Sequence, residues 1–340
     1  MLLIINDSKN AYYNLAAEEY LIDNFDDDIV MLWRNDRAVV VGKNQNTIEE
    51  IDSDFVREKG ISVVRRLTGG GAVFHDLGNV NYTIIQKDRA GLFSNYEYFT
   101  RTVRDFLQGL GVNAVLSGRN DLLIDGKKFS GNAQCVRNGR MMHHGTLMFS
   151  ADVDDISGAL TPNQKKTESK AVKSVQSHVT NILPHLQRRQ GDRQDSDFGR
   201  SDPAADFMQL LYEYYLKTIP EAAPFELSRD DRSAIQKLAD EKYSTWEWNY
   251  GASPAFAVSS SRKYAFGLVD VRLNVSRGRI RNMRIYGDYF GIRDISEIEE
   301  ILTGIEYRGD AIAAALYGVD LGDYVSGMTA QELTDLILQC

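Results

Sequence analysis

Along the chain, apolar residues recur first with a helical period, then with strand alternation, and the changes of period mark the elements. Residues 10–25 set Leu15, Tyr20 and Leu21 among acidic neighbours and predict an amphipathic helix. Residues 29–34 and 38–41 read as short strands joined by the turn pair Asn35-Asp36. A second helix is expected after Ser94 as its cap, with Tyr96, Phe99, Val103, Phe106, Leu107 and Leu110 on one stripe and Gly111 stopping it. Three β-type runs follow at 121–124, 127–136 and 141–150, linked by Asp125-Gly126 and Asn138-Gly139, both strong hairpin signals.

Residues 187–206 are polar and poor in large apolar side chains, and read as a mobile surface loop. Helical spacing resumes at 207–219 and 230–243, and the texture changes again around Trp246 and Trp248, where packing is expected. Long alternating strands at 264–275 and 280–286 flank the turn Ser276-Arg277-Gly278. Helical segments are expected at 295–302, at 310–317 and after the capping box Thr329…Glu332. Strands and helices mix without regular βαβ alternation, which predicts an α+β fold. The division falls naturally into residues 1–246 and a small α+β unit at 247–340, and 340 residues suffice for about two such cores.

One run stands apart: Arg65-Arg66-Leu67-Thr68-Gly69-Gly70-Gly71-Ala72-Val73-Phe74-His75-Asp76, set as a loop between apolar stretches ending at Val64 and starting at Val80. Three glycines let a backbone approach a ligand and offer N–H groups to phosphate oxygens, and two guanidiniums add charge-assisted contacts. Taken alone, the run also fits a tight turn that happens to be rich in glycine.

Composition narrows the field. Hydrophobic content of 43% and charged content of 26% are those of a soluble globular protein. A net charge of −9 with no basic stripe excludes a general nucleic-acid binder. Cys135 and Cys340 form no C-x-x-C pair, the apolar start is too short for a signal peptide, and no run is long enough to span a membrane. These features predict a cytoplasmic protein.

A second polar cluster follows at Gly118-Arg119-Asn120-Asp121 and Gly126-Lys127-Lys128-Phe129-Ser130-Gly131. Strand alternation sends Lys127 and Lys128 to opposite faces and puts Lys128 with Ser130. Taken singly, the lysines also fit hairpin-edge protection and Asp121 a turn or cap. His143 and His144 should face opposite ways, which suits structural hydrogen bonding better than a shared metal. Nothing beside Cys135 suggests an activated nucleophile, so a buried inert thiol is expected.

Together these residues resemble the lipoate–protein ligase family. The glycine run with Leu77-Gly78-Asn79 resembles its signature loop. Gly118 to Leu122, Lys128 to Gly131, His143 to Leu147, and Lys173-Ser174-Val175…Ser177-His178-Val179-Thr180-Asn181 follow in its order. Trp246 to Gly251 with Pro254-Ala255-Phe256 resembles the opening of its C-terminal accessory domain. The resemblance implies a biotin/lipoate ligase-like catalytic domain of mixed sheets and flanking helices plus an accessory domain that moves between steps. It implies that ATP adenylates lipoate and that the lipoyl group passes to a lysine of acceptor domains: E2 subunits of 2-oxoacid dehydrogenases or the glycine-cleavage H protein. Carried over, Arg66, Gly71, Ala72, Val73, Phe74 and Lys128 bind ATP. Lys128, Arg66, Gly70 and His75 meet lipoate, Lys128 is catalytic, and Asp121 helps hold Mg²⁺. An apolar slot for the acyl chain is expected from the strands around Val73 and 80–84.

The nearest rival is octanoyl transfer by a related fold, using a cysteine nucleophile and no ATP. The stretch Val115 to Arg119, where such enzymes place that cysteine, has none. Biotin ligation and a non-catalytic sensor are further alternatives. The form of the glycine loop disfavours the first, and the retention of Arg66, Asp121 and Lys128 together disfavours the second.

Overall fold

The fold is that of a computed structural model describing residues 1–118, 120–160, 178–186, 201–250, 258–276 and 278–340. Arg119, Lys173 to Ser177, Arg277, Pro254 to Phe256 and all of the polar stretch up to residue 200 lie outside the described residues.

An eight-stranded sheet organises the first part of the chain. Its order is β11 (Ala223–Pro224), β1 (Leu2–Asn6), β2 (Ile29–Trp33), β6 (Asn79–Lys87), β10 (Arg140–Met148), β9 (Lys127–Arg137), β8 (Asp121–Ile124) and β7 (Ala114–Ser117). β1 runs parallel to β2 through helix α1 (Ala11–Asn24), and from β2 to β7 neighbours are antiparallel. Alternation then sorts side chains between two cores. Val30, Leu32, Val80, Tyr82, Ile84 and Leu147 face helices α2 (Tyr96–Gly109) and α3 (Pro203–Thr218). Met31, Trp33, Ile85 and Met142 face α1 and α4 (Arg229–Leu238). Burying large side chains on both faces supplies the main driving force, about 1.5–3 kcal/mol for each fully buried Leu, Ile or Phe.

A second sheet of three strands, β4 (Ser62–Arg65), β3 (Ala38–Val41) and β5 (Val73–His75), lies beside α1. β4 is parallel and β5 antiparallel to β3, so the glycine run crosses the end of β3. The Asn35-Asp36 turn therefore passes the chain from one sheet to the other instead of closing a hairpin. A strand not expected from the pattern, β5, divides the glycine loop from β6.

The C-terminal part has its own sheet, β12 (Val258–Tyr264), β13 (Gly267–Ser276) and β14 (Arg279–Gly287), covered by α5 (Ser296–Leu302), α6 (Gly309–Ala315) and α7 (Ala330–Ile337). The expected strand 264–275 is β13, which begins at Gly267; the strand before it, β12, was not expected and ends at Tyr264, which pairs with Gly267 across the turn Ala265-Phe266. Thr329 and Glu332 form the expected capping box.

Asp125 and Asn138 adopt φ of 50° and 52°, followed by Gly126 and Gly139 at 78° and 71°, the double left-handed geometry of two-residue hairpin turns. Asn95, not Ser94, caps α2: its side chain accepts from the Tyr98 N–H, while Ser94 takes φ 65° in the preceding turn. The last residues of the polar stretch are ordered, since Pro203 opens α3 and Asp202 caps it. Trp248 lies against Tyr243 and donates its indole N–H to Arg65 O, so it packs as expected, while Trp246 is exposed.

Phe207 is fully buried and stacks on Phe149 at 4.5 Å. Phe207→Ala should cost about 3–5 kcal/mol. Urea denaturation of the variant would read this directly, and an unshifted midpoint would show that this face of the sheet is not close-packed.

Candidate active site

On the α1 side, the two sheets enclose a cavity of about 120 Å³. Its walls include Trp33, Val40, Arg66, Gly70, Gly71, Ala72, Val73, His75, Asn81, Lys128, Gly131, His144 and Phe290. Two sequence clusters about forty residues apart are thus brought to one hollow by the pairing of β6, β10 and β9.

Arg66 is almost completely buried, and its guanidinium is what shapes the loop. Nε donates to Thr68 Oγ1 at 2.9 Å, Nη1 to Val40 O at 3.0 Å, and Nη2 to Gly69 O at 2.7 Å and Gly71 O at 2.8 Å. Four of its five N–H donors hold protein atoms, so it offers a ligand its charge and one remaining N–H. Burial lowers its pKa to about 10, which still leaves it cationic near neutrality. Arg65 does not share the task expected of it. Its guanidinium turns away to the carbonyls of Gly42, Lys43, Gln45, Trp248 and Asn249 and to Thr47 Oγ1, bracing the turn beside the loop. The physical reason is strand alternation: at the end of β4, consecutive side chains leave on opposite faces.

The three glycines serve different neighbours. A Cβ on Gly69 would overlap the Tyr289 carbonyl oxygen. One on Gly70, at φ +93°, would sit 2.9 Å from Arg66 Nη2 and 3.0 Å from Phe290 Cζ. One on Gly71 would meet nothing within 4 Å. The first two glycines admit the C-terminal segment; only Gly71 leaves open space. That segment is fastened by the Gly287 N–H to Asn44 O at 2.7 Å, and by Lys43 to Asp294 at 2.8 Å. Burial pushes the Asp294 carboxyl up, but the bonds from Lys43 and Ser296 outweigh it and hold it at about 2.

Lys128 faces the cavity, with Nζ 2.8 Å from Asp121 Oδ1. It does so through a bulge: β8 and β9 shift register between Leu122 and Leu123, which pair with Ser130 and Lys128. The extra residue, Phe129, goes into the opposite core. Parity is reset, so Lys128 shares its wall with Gly131 and Ala133 rather than Ser130. Gly131 makes the room, since a Cβ there would stand 3.2 Å from Lys128 Cε and Nζ.

His143 and His144 do point opposite ways. His143 stacks on Phe99 at 4.8 Å in the far core. His144 lines the cavity and joins a buried chain: Nε2 lies 2.8 Å from Thr68 Oγ1 and Nδ1 2.8 Å from Glu18 Oε1. Glu18 Oε1 also accepts from Thr83 Oγ1, which accepts from Trp33 Nε1. Glu18, Trp33, Asn81 and His144 were missed as site residues. Glu18 carried a signal, being an acidic side chain on the buried stripe of Ala11, Leu15 and Ile22.

The apolar wall of the cavity matches the expected lining of an acyl slot only in part. Val73 contributes, with Leu15, Trp33, Val40 and Ala133, but Val80 and Ile84 face the other core because alternation turns them away. Phe74 likewise packs its ring among Val39, Val41 and Val63, away from the cavity. Cys135 is buried and its thiol is pushed up to about 12 by burial, leaving no thiolate near neutrality to act as nucleophile. Among the described residues no group of three His, Cys, Asp or Glu side chains could hold a metal ion, and no helix is long and apolar enough to cross a membrane.

Comparison with known proteins places this geometry. Residues 10–196 match the family model of the lipoyl protein ligase A/B catalytic domain, and residues 253–337 match that of the bacterial lipoate protein ligase C-terminus. The chain belongs to the lipoate–protein ligase family. It is 42% identical to the lipoate-protein ligase LplJ of Bacillus subtilis over 99% of this chain and 100% of that protein. In fold it is similar to P. falciparum LipL1 solved in complex with lipoate, with a TM-score of 0.79 and 24% identity over 100% of this chain and 99% of that one. A solved lipoate-protein ligase A bound with ATP matches with a TM-score of 0.59 and 27% identity, over 74% of this chain and 98% of that one. The ligase is thus an enzyme of mixed sheets and flanking helices with a small C-terminal sheet unit.

Gly70→Ala should destabilise the protein by about 1–3 kcal/mol, and Gly71→Ala by less than about 0.5 kcal/mol. Equal thermal melting of the two variants would contradict the division of labour in the loop. Burial holds His75 down at about 3, and His143 well below its ordinary value. The unfolded chain binds these protons below about pH 6.5 and the folded one does not. Stability present above pH 6.5 should therefore fall as pH drops toward 3. A urea midpoint unchanged between pH 7 and 5 would refute this.

Proposed function

We propose that this ligase activates lipoate with ATP to lipoyl-AMP, releasing pyrophosphate, and passes the lipoyl group to a lysine of an acceptor domain. The observation that carries the reading is one cavity shared by Arg66, the glycine loop and Lys128, with an apolar slot of Leu15, Trp33, Val40 and Val73 beside them. Carboxylate and triphosphate must meet, and two unit charges ~4 Å apart repel by about 4 kcal/mol at an effective dielectric near 20. Arg66 and Lys128 offset that repulsion and stabilise charge developing on the α-phosphate. In this reading Arg66, Gly71, Ala72, Val73 and Phe74 border the nucleotide, Phe74 through its backbone. Lys128 sits at the acyl–phosphate junction, and Gly70 and His75 lie along the lipoate.

Asp121 suits Mg²⁺, a cation often held by one or two carboxylates together with substrate phosphates, since its half-exposed carboxylate stands beside Lys128. Bound there, Mg²⁺ would neutralise phosphate charge.

The cavity, at about 120 Å³, is below the roughly 300–1,000 Å³ usual for small-ligand sites. Phe290 is the wall supplied from the C-terminal part. This fits a division into a catalytic domain, 1–246, and an accessory domain, 247–340, whose departure opens the site and whose return shields the acyl-adenylate from water. E2 subunits of 2-oxoacid dehydrogenases and the glycine-cleavage H protein are the acceptors, in the cytoplasm.

Incubation with ATP, Mg²⁺, lipoate and a lipoyl-acceptor domain should raise the acceptor mass by one lipoyl group, and only when ATP is present. Modification from octanoyl-carrier protein without ATP would reject the reading. Lys128→Ala should lower adenylate formation at least about a hundredfold, as removal of an electrostatic stabiliser does. Cys135→Ser should keep activity near that of the parent, and its loss would reopen acyl transfer through the thiol.

A further inference from the structure

His75 and Asn81 both line the cavity, and each carries a buried nitrogen with no hydrogen-bond partner among the described residues: Nε2 of His75 and Nδ2 of Asn81. Trp33 stands next to both, as ring neighbour of His75 at 6.1 Å and as cross-strand partner of Asn81. The orientation of His75 is fixed by its neighbours.

Asn14 Nδ2 lies 3.0 Å from Ser8 O and 2.9 Å from Arg34 O, two backbone acceptors that identify it as the donor end of that amide. Its opposite end, Oδ1, accepts from Asn6 Nδ2 at 3.0 Å. The third neighbour of Asn14 Nδ2, at 2.8 Å, must then be an oxygen, Asn35 Oδ1. That turns Asn35 Nδ2 toward His75 Nδ1, 3.1 Å away. An amide nitrogen only donates, so Nδ1 is the acceptor and the ring proton resides on Nε2. Asn81 Oδ1 accepts from Asn79 Nδ2 at 2.9 Å, which leaves Nδ2 as the unpartnered end of an amide that borders the cavity.

We propose that His75 Nε2–H and Asn81 Nδ2–H form a two-donor seat for a substrate acceptor atom, and that Asn35, held by Asn14 and Asn6, is the positioning residue that fixes His75 as a donor. The proposal rests on the reading of this cavity as the lipoate site. Two neutral donors suit a lone-pair acceptor, which on this substrate is a carboxyl oxygen or a dithiolane sulfur. Burial keeps the imidazole neutral, so the donor persists across the working pH range without adding a competing charge. A buried donor left unpaired is costly, and a substrate acceptor removes that cost only in the complex.

The first measurement needs no activity: long-range ¹H–¹⁵N spectra of the ¹⁵N-labelled full chain. One neutral species with a protonated Nε2 at His75 is expected, turning to a tautomer mixture in Asn35→Ala. A native ring protonated at Nδ1, or doubly protonated, overturns the proposal whatever the enzyme does. The second is ATP-dependent acylation by Asn35→Ala and Asn81→Leu with lipoate and octanoate as paired substrates. Both variants should lose about five- to a hundredfold in kcat/KM, chiefly through KM for the acid, with KM for ATP little changed. Equal losses with both acids assign the seat to the carboxyl oxygen, and a loss confined to lipoate assigns it to sulfur. Parent-like KM values in folded variants would mean that the two donors face water only, and would overturn the proposal. Failure of the parent protein to acylate would instead indict the lipoate reading and leave the tautomer result standing.

Discussion

A cation sealed inside protein is what the site is built around. Arg66 cannot shed its charge near neutrality, and removing it from water is tolerable because acceptors meet four of its five N–H groups. The chain supplies Val40 O, Gly69 O, Gly71 O and Thr68 Oγ1. Two of these are loop carbonyls, so solvating the charge and folding the loop are one event. Behind Thr68, the chain through His144, Glu18, Thr83 and Trp33 extends the same constraint across α1 and the large sheet. Glu18 is fully buried, and its presence acts to raise the Arg66 pKa against the burial that lowers it.

This arrangement divides the labour of handling anions. Arg66 contributes a fixed field from within, while Lys128 sits at the rim, held by Asp121 but partly in solvent. A buried cation is preorganised and a rim cation is adjustable, and a site that first joins two anions and then releases a neutral acyl group to a lysine has use for both.

The α+β class, the glycine loop, the two Asp-Gly and Asn-Gly hairpins and the capping box at Thr329 were legible because each rests on local backbone chemistry. What escaped depended on the third dimension. Arg65 and Arg66 look equivalent in sequence and separate only through the side of β4 from which each leaves. The placement of Lys128 required a bulge that alternation cannot foresee. Phe290 lies over two hundred residues from the loop it touches, so no local pattern could have joined them. Glu18 was visible as a charge on an apolar stripe, but its purpose appeared only with His144 and Thr83 around it.

The bulge at Phe129 constrains how this hairpin can vary. Because the residue skipped there sets which way Lys128 looks, gaining or losing a single position between Lys128 and Gly131 would swap its outlook with that of Lys127. The constraint therefore falls on the three residues after Lys128 and not on the Asp125-Gly126 tip, whose length leaves the register of this strand with its other neighbour untouched.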